Sequence, residues 1–305
     1  MRRFTYYIFL FILPIIFVLP VFEVATRAIP NSYRYKNGQL SLLADSLEVL
    51  ILGSSHAYMG LNPECFSLRA FNAGNVSQTL CYDDYIVQKF IPKMPKLKYV
   101  ILPISYFTFF STLQNSDEWY REIYYTLYMD FSKYGLFTKQ HYEIANWSVA
   151  IVKLRAYYIN GEDLEQVSAT GMSKMYYLKN KAVKGWDNGV SRAKAHLSED
   201  LNDEIMVENI AFLDNIASLT DNMGAQLILV TTPVRKSYSH HINVGQLSQM
   251  HNNIERVLKE HKSVSYLDFL TDSSYTDDDF FDADHLTELG ANKLSRKIDS
   301  LMMNN

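Results

Sequence analysis

The sequence has no excess of basic residues, because its 29 Lys and Arg side chains are outnumbered by 33 Asp and Glu side chains, giving a net charge of −4. A protein that holds nucleic acid through its phosphates needs a basic surface, so this balance argues against that class of partner. Hydrophobic residues make up 48% of the chain. The composition therefore indicates a globular protein with a sizeable core.

Cysteine is nearly absent, since the chain contains only Cys65 and Cys81. No Cys/His spacing typical of a zinc site is present, and the acidic run from Asp277 to Asp284 lacks the repeated ligand spacing of a calcium loop. We therefore expect no metal and no other cofactor. Two states of the cysteines stay open: a bridge closing a loop of about 16 residues, worth ~3 kcal/mol, or two unpaired buried side chains.

Charge is also missing from Phe4 to Phe22, 19 positions that follow Arg2 and Arg3. As a helix this run would span about 28 Å, the thickness of a bilayer core. We predict one transmembrane helix within residues 1–25, followed by a connector over 26–46. A cleaved signal peptide fits less well, because the run is long for a signal core and Glu23 to Arg27 is a poor cleavage site. Arg2 and Arg3 would stay in the cytoplasm, so the rest of this single-pass cell-membrane protein would be periplasmic or extracellular.

Five apolar runs alternate with helical patterns and predict an α/β fold. The pattern favours a three-layer αβα sandwich with a five-stranded parallel sheet and flavodoxin-like strand order, within one domain over 47–305. The predicted strands lie at 47–53, 69–73, 97–104, 225–230 and 264–269.

Residues 111–200 interrupt this pattern and are rich in tyrosine, for example Tyr120, Tyr124 and Tyr128 at helical spacing. We interpret them as a helical insertion whose aromatic faces pack on the main domain. A lid, or an aromatic wall for a sugar or lipid chain, is the alternative.

The first strand ends in Gly53-Ser54-Ser55-His56. A buried strand that opens into Gly-Ser-Ser presents a hydroxyl at the carboxyl edge of a sheet, where α/β proteins build their sites. The alternative is a plain helix N-cap, for which serine is a preferred residue.

A carboxylate and an imidazole follow the last strand at Asp282 and His285, just before the final helix. Serine needs an imidazole to accept its proton, and a carboxylate to orient that imidazole and stabilise its charged form. We predict Ser55 as nucleophile, His285 as general base and Asp282 as the orienting acid, with Asp284 the less favoured acid. His56 is expected to be a structural neighbour.

These motifs together resemble the SGNH (GDSL-like) hydrolase superfamily, and most of all its membrane-anchored DltD-like and polysaccharide O-acetylation branch. The resemblance covers about 47–108 and 205–303 and rests on Gly53-Ser54-Ser55, on Phe71-Asn72-Ala73-Gly74 and on Phe281 to Leu286 with Gly290-Ala291. It implies that the Gly74 amide serves the oxyanion hole. The family's third block normally supplies an asparagine, but here the chain reads Leu102-Pro103-Ile104-Ser105-Tyr106. Either Ser105 replaces that donor or the hole has only the Ser55 and Gly74 amides.

The resemblance implies a membrane-anchored extracytoplasmic serine esterase or O-acyl(acetyl)transferase that acts on an acylated cell-surface polysaccharide. It also implies a membrane-bound O-acyltransferase as a partner. Two other classes stay open: a non-catalytic scaffold or glycan-binding partner of the same shape in a polysaccharide assembly complex, and a lipid esterase.

Overall fold

A computed structural model of the protein describes residues 2–114, 116–181, 187–198 and 203–304. The chain forms two compact units, one comprising Met1–Asn37 and Asp117–Gln166 and the other Gly38–Ser116 and Val167–Asn305. The predicted insertion is therefore divided, with residues 117–166 in the first unit and the remainder in the second. Its positions 115, 182–186 and 199–200 lie outside the described residues.

The described ranges contain α-helices with the following bounds: α1 (Arg2–Ala28), α2 (Ser32–Leu43), α3 (Ser55–Gly60), α4 (Leu80–Phe90), α5 (Arg121–Tyr128), α6 (Trp147–Leu154), α7 (Gly189–Ala195), α8 (Asp203–Asn222), α9 (Lys236–Ser239), α10 (Val244–Glu260) and α11 (Glu288–Met303). The strands are β1 (Val49–Ile51), β2 (Ala70–Asn72), β3 (Tyr99–Pro103), β4 (Gln226–Thr231) and β5 (Val264–Asp268). The expected connector over 26–46 contains the end of α1 and all of α2.

The first unit is built around the last turns of α1. The Glu23 carboxylate accepts the backbone N–H groups of Glu143 and Ile144, each at 3.0 Å. Arg27 is paired with Glu23 and donates to the carbonyl of His141. This end of α1 is therefore held by polar contacts within its own unit.

The part of the chain that the structure describes does not show the predicted membrane anchor. Among residues 2–114, 116–181, 187–198 and 203–304, no helix is both long and apolar enough to cross a membrane.

Tyrosines form the interior of the first unit. Tyr33 packs against Tyr124 and Tyr125 with ring centroids 5.1 and 5.0 Å apart. The buried Glu143 carboxylate accepts the Tyr128 hydroxyl and pairs with Lys153 at 2.8 Å. The aromatic spacing seen in the sequence therefore serves packing inside this unit.

The second unit contains the predicted five-stranded sheet, with all strands parallel and in the order β2-β1-β3-β4-β5. The chain moves from β1 to β2 in one direction and then crosses to β3 on the other side of β1. Ligand sites of such sheets lie outside the carboxyl ends of the strands at this switch point, here between β1 and β3.

Both faces of the sheet are buried, as parallel sheets require. One face packs Val49, Ile51 and Val230 against Leu294 and Ile298 of α11, in a cluster that also includes α3. Leu50, Val100 and Leu229 point the other way, because successive strand residues face opposite sides, and they are equally buried. Helix α8 contacts β4 and α4 in this unit.

The two cysteines are not joined. Both side chains are partly buried thiols outside any disulfide, and Cys65 Sγ lies 3.4 Å from Asn292 Oδ1. Of the two states that the sequence left open, the structure shows the one without a bridge.

Candidate active site

Ser55 is presented by a tight turn between β1 and α3. Gly53 has φ +111°, and a Cβ there would lie 3.3 Å from Ala57 and Pro103, so the turn needs glycine. The Gly53 N–H donates to the buried Asp83 carboxylate at 2.8 Å. Ser54 is the N-cap of α3, which makes Ser55 the first residue of the helix. The helix N-cap expected as an alternative role for this motif is therefore Ser54, and the Ser55 side chain is not used for capping.

Asp282 and His285 occupy one hydrogen-bonded loop between β5 and α11. Asp282 Oδ1 accepts the backbone N–H groups of Asp284 and His285, at 3.1 and 2.8 Å. The Phe281 N–H donates to the His285 carbonyl at 2.9 Å. The three-residue spacing thus closes a local turn that aims the carboxylate at its own histidine.

The structure brings the three predicted triad residues together. His285 Nδ1 lies 3.0 Å from both carboxylate oxygens of Asp282, and His285 Nε2 lies 2.8 Å from Ser55 Oγ. Burial lowers the pKa of His285, but the Asp284 and Asp282 carboxylates outweigh it and the net shift is upward. This geometry allows His285 to take the Ser55 proton while Asp282 holds the proton on Nδ1.

Gly74 lies beside this turn, but its amide is engaged. A Cβ at Gly74 would lie 2.7 Å from the Gly53 carbonyl oxygen, which explains the glycine. Its N–H donates to Asn72 Oδ1 at 3.0 Å. To serve an oxyanion hole, as predicted, the amide would have to exchange this bond for one to the substrate.

Asn72 is a structural residue that the sequence reading did not single out. Its side chain is fully buried and donates to the carbonyls of Ala57 and Leu61, at 2.7 and 2.9 Å. With the bond from Gly74, it ties the end of β2 to the end of α3. Its place in the Phe-Asn-Ala-Gly motif was the available signal.

A second hydroxyl–imidazole–carboxylate chain lies next to the triad. His56 Nδ1 lies 2.5 Å from Ser105 Oγ, and His56 Nε2 lies 3.2 Å from Asp284 Oδ2. Arg192 donates to both oxygens of Asp284, at 2.9 and 2.8 Å. His56 was expected to be a neighbour only, and no sequence signal pointed to Arg192.

The charges around Ser105, His56 and Asp284 indicate which of their atoms carry protons. The pKa of Asp284 is well below its usual range, because His285, His56 and Arg192 outweigh the effect of burial. An ionised carboxylate can only accept, so His56 Nε2 carries a proton. Burial lowers the pKa of His56 and so favours the neutral ring. Its Nδ1 is then an acceptor, and Ser105 donates its hydroxyl proton to it.

Ser105 stands where the family's third block normally supplies an asparagine as an oxyanion donor. Because the hydroxyl proton of Ser105 is donated to His56, the Ser105 oxygen can only accept a hydrogen bond from any other partner. A cavity of about 10 Å³ beside Ser105 and His56 has room for no more than a single water. In this state Ser105 does not replace the asparagine as an oxyanion donor.

Three side chains of the site, His56, Asp284 and His285, offer ligand-type atoms within 4.8 Å of one another. Their nitrogen and oxygen atoms are engaged with one another, with Ser55 and with Asp282, and Arg192 occupies both Asp284 oxygens. The donor set does not fit a resident cation, because binding one would displace the guanidinium.

Tyr176 forms one wall beside the general base. Its ring stacks on Phe281 at 4.1 Å and meets His285 edge to face at 5.2 Å. The preceding segment is anchored where Asn72 N–H donates to Thr170 O and Ser173 N–H donates to Tyr58 O, each at 2.9 Å. Part of the predicted insertion therefore lies against the site.

The sequence matches no protein-family model and no curated protein. Among solved structures it is similar to a GDSL-like lipase from Bacteroides thetaiotaomicron, with 8% identity over 89% of this chain and 97% of that one, and a TM-score of 0.42. It is also similar to a catalytic mutant of an acetylxylan esterase from Geobacillus stearothermophilus, with 10% identity over 83% and 93% of the two chains and a TM-score of 0.36.

Proposed function

We propose that the protein is a serine-dependent esterase or O-acyltransferase of the SGNH type. The observation that carries the proposal is the continuous chain from Ser55 through His285 to Asp282, with contacts of 2.8 and 3.0 Å. A hydroxyl bonded to the distal nitrogen of an imidazole, whose other nitrogen faces a carboxylate, is the arrangement that activates serine for attack on an ester.

In the proposed reaction Ser55 Oγ attacks the ester carbonyl while His285 Nε2 takes its proton. Asp282 stabilises the resulting imidazolium, which then gives the proton to the leaving alcohol as the ester C–O bond breaks. Water or a sugar hydroxyl attacks the acyl-serine in the second half. The first acceptor makes the enzyme a hydrolase and the second makes it a transferase.

The oxyanion donor nearest the nucleophile is the Ser55 amide. As the first residue of α3, it has no acceptor inside the helix. The Gly74 amide is the second candidate, provided that it leaves Asn72. Losing one such donor costs about 10²–10³ in turnover, so we expect slow chemistry on simple esters.

The resemblance of the motifs carries the proposal further, to acetyl groups on a cell-surface polysaccharide outside the cytoplasmic membrane. It also supports a membrane-bound O-acyltransferase as the partner that delivers the acyl group. Fractionation of cells into membrane, soluble and extracytoplasmic pools tests the location. Loss of acetyl groups from the surface glycan after gene deletion tests the substrate class.

The direct test exposes the full chain and a Ser55→Ala variant to a fluorophosphonate and to 4-nitrophenyl acetate, with intact mass as readout. Ser54→Ala is the matched control, since it removes the neighbouring hydroxyl but not the nucleophile. We expect one adduct and ester turnover for the wild type and the control, and neither for Ser55→Ala. If the wild-type protein is folded, as judged by a cooperative thermal transition, but gains no adduct, the proposal is contradicted.

A non-catalytic scaffold is the second candidate, and the occupied Gly74 amide with the Ser105 hydroxyl turned to His56 favours it. It predicts glycan binding that survives Ser55→Ala and no adduct on any serine. A lipid esterase is the remaining alternative. Activity on 4-nitrophenyl esters of increasing acyl-chain length tests it, because a lipid esterase prefers long acyl chains to acetyl.

A further inference from the structure

The carboxylate of Asp284 lies between the two histidines of the site. One of its oxygens is 3.2 Å from His56 Nε2, and the other is 3.6 Å from His285 Nδ1. The side chain is completely buried, so water does not screen its charge from either ring. His285 Nδ1 therefore faces two carboxylates: Asp282, which bonds to it, and Asp284 just beyond.

Asp284 is held in this place by groups on other elements. Arg192 of α7 donates to both oxygens as a bidentate pair, and His56 of α3 donates to one of them. Helix α7 is itself fixed where the Tyr106 hydroxyl donates to the Ala193 carbonyl. The carboxylate is therefore a fixed charge, placed by three contacts that do not involve the substrate or Ser55.

We propose that Asp284 is a positioning residue for His285, a second carboxylate that strengthens the general base and is held in place by Arg192 and His56. The inference rests on the proposed role of His285, since a base matters only where Ser55 is activated. It assigns to Arg192 a moderating role, because its positive charge offsets part of the charge of Asp284.

The competing explanation is that Ser105, His56 and Asp284 form a second catalytic triad. The cavity beside Ser105 and His56, about 10 Å³, has room for no more than a single water, which is too little for a tetrahedral acyl adduct. Ser105 is itself only 7% exposed. The small cavity and the low exposure of Ser105 therefore favour a supporting role for Ser105, His56 and Asp284 beneath His285 over a role for Ser105 as a second nucleophile.

The charged and titratable groups around His285 set the expected sign of each substitution. Those on its own loop and on the packed elements are Asp282, Asp284, His56, Arg192, His196, Tyr176 and Tyr238. Of these, Asp282 and Asp284 favour the imidazolium, whereas Arg192 opposes it. Asp284→Asn should weaken the base. Arg192→Gln should strengthen it, because glutamine removes the positive charge but keeps an N–H donor for the Asp284 carboxylate.

The experiment measures the second-order rate of fluorophosphonate labelling at Ser55 against pH, and in parallel the titration of His285 by NMR of histidine-labelled full-length protein. A His285→Gln variant identifies the resonance. For Asp284→Asn we expect both midpoints to fall by about 1–3 pH units. For Arg192→Gln we expect both to rise by a smaller amount, because Arg192 acts from beyond Asp284.

Asp214→Asn is the matched control, because Asp214 is likewise paired with an arginine, Arg256, at 2.8 and 2.9 Å but on α8. It should leave both midpoints in place. Midpoints that move in the same direction in Asp284→Asn and Arg192→Gln, or do not move, would overturn the inference. So would an adduct on Ser105 in Ser55→Ala protein. If no serine is labelled at all, the proposed function fails, while the NMR titration still decides the role of Asp284.

Discussion

His56 and His285 lie edge to face, with ring centroids 5.0 Å apart and the carboxylate of Asp284 in contact with both rings. Burial lowers the pKa of His56, whereas the pKa of His285 is raised because two carboxylates outweigh the same burial. The pKa values of two adjacent imidazoles are thus shifted in opposite directions by the surroundings of each ring. Only His285 contacts Ser55, so the stronger base is the one placed on the nucleophile.

Replacing Asp282 by asparagine should abolish most of the activity while leaving the fold intact. An amide can turn its NH₂ toward Nδ1 and favour the wrong tautomer, with the proton on Nε2 where Ser55 must donate. We expect a drop of roughly 10⁴ in turnover of 4-nitrophenyl acetate. Asp278→Asn, a change in the exposed part of the same acidic run, is the control and should be neutral. Equal activity in both variants would rule out Asp282 as the orienting acid.

The labelling rate of Ser55 should depend on pH through His285. Its pKa is raised above the ordinary 6.5, and only the neutral ring can accept the serine proton. The rate should therefore be highest on the alkaline side and fall as the pH drops through a midpoint above 6.5. A midpoint at or below the ordinary value in wild-type protein would show that the two carboxylates do not act on this ring.

Replacing Asn72 by alanine should destabilise the protein and slow labelling of Ser55. The substitution removes the bonds that the Asn72 side chain donates to the carbonyls of Ala57 and Leu61 and the bond that it accepts from the Gly74 N–H, while the Ala57 carbonyl keeps its bond from the Leu61 N–H. Losing a buried hydrogen-bond partner costs about 1–3 kcal/mol, so we expect a loss of at least ~2 kcal/mol in the free energy of unfolding. Asn292→Ala, a partly buried asparagine bonded to side chains only, should cost less than ~1 kcal/mol. Denaturant unfolding of the two variants makes the comparison.

Replacing Asp83 by asparagine should stabilise the protein in alkaline solution. Burial raises the pKa of this carboxyl to about 7, whereas the unfolded chain titrates near 3.8. Between these values the folded protein holds a proton that the unfolded chain has lost, so stability falls as the pH rises through the window. The loss at about pH 8 is at most about 4 kcal/mol.

The amide introduced by Asp83→Asn would still accept from the Gly53 N–H, so the turn at the end of β1 keeps its bond. Because that amide does not titrate, the unfolding free energy of the variant should change less than that of the wild type between about pH 5 and 8. Denaturant unfolding at a series of pH values makes the measurement. An unchanged pH dependence would contradict the assignment.

The sequence was sufficient for the strands and for the order of the site motifs. Short apolar runs bounded by glycine and polar residues have few alternatives to buried strands, and the predicted runs at 47–53 and 97–104 contain β1 and β3. The pairing of Asp282 with His285 was also predictable, because a three-residue turn brings them together whatever the rest of the chain does. Local geometry is encoded locally.

Other features were decided by tertiary structure. Asp284 contacts His56 and Arg192, which are 228 and 92 positions away in the sequence. The Gly74 N–H donates to the Asn72 side chain, a bond set by the geometry of the turn after β2. The helix at Arg2–Ala28 was foreseen, but the predicted membrane span was not confirmed among the described residues. Residue type and spacing determined which groups were available. Their distances, and therefore their proton positions and charges, depended on the packing of α3, α7 and the loop before α11.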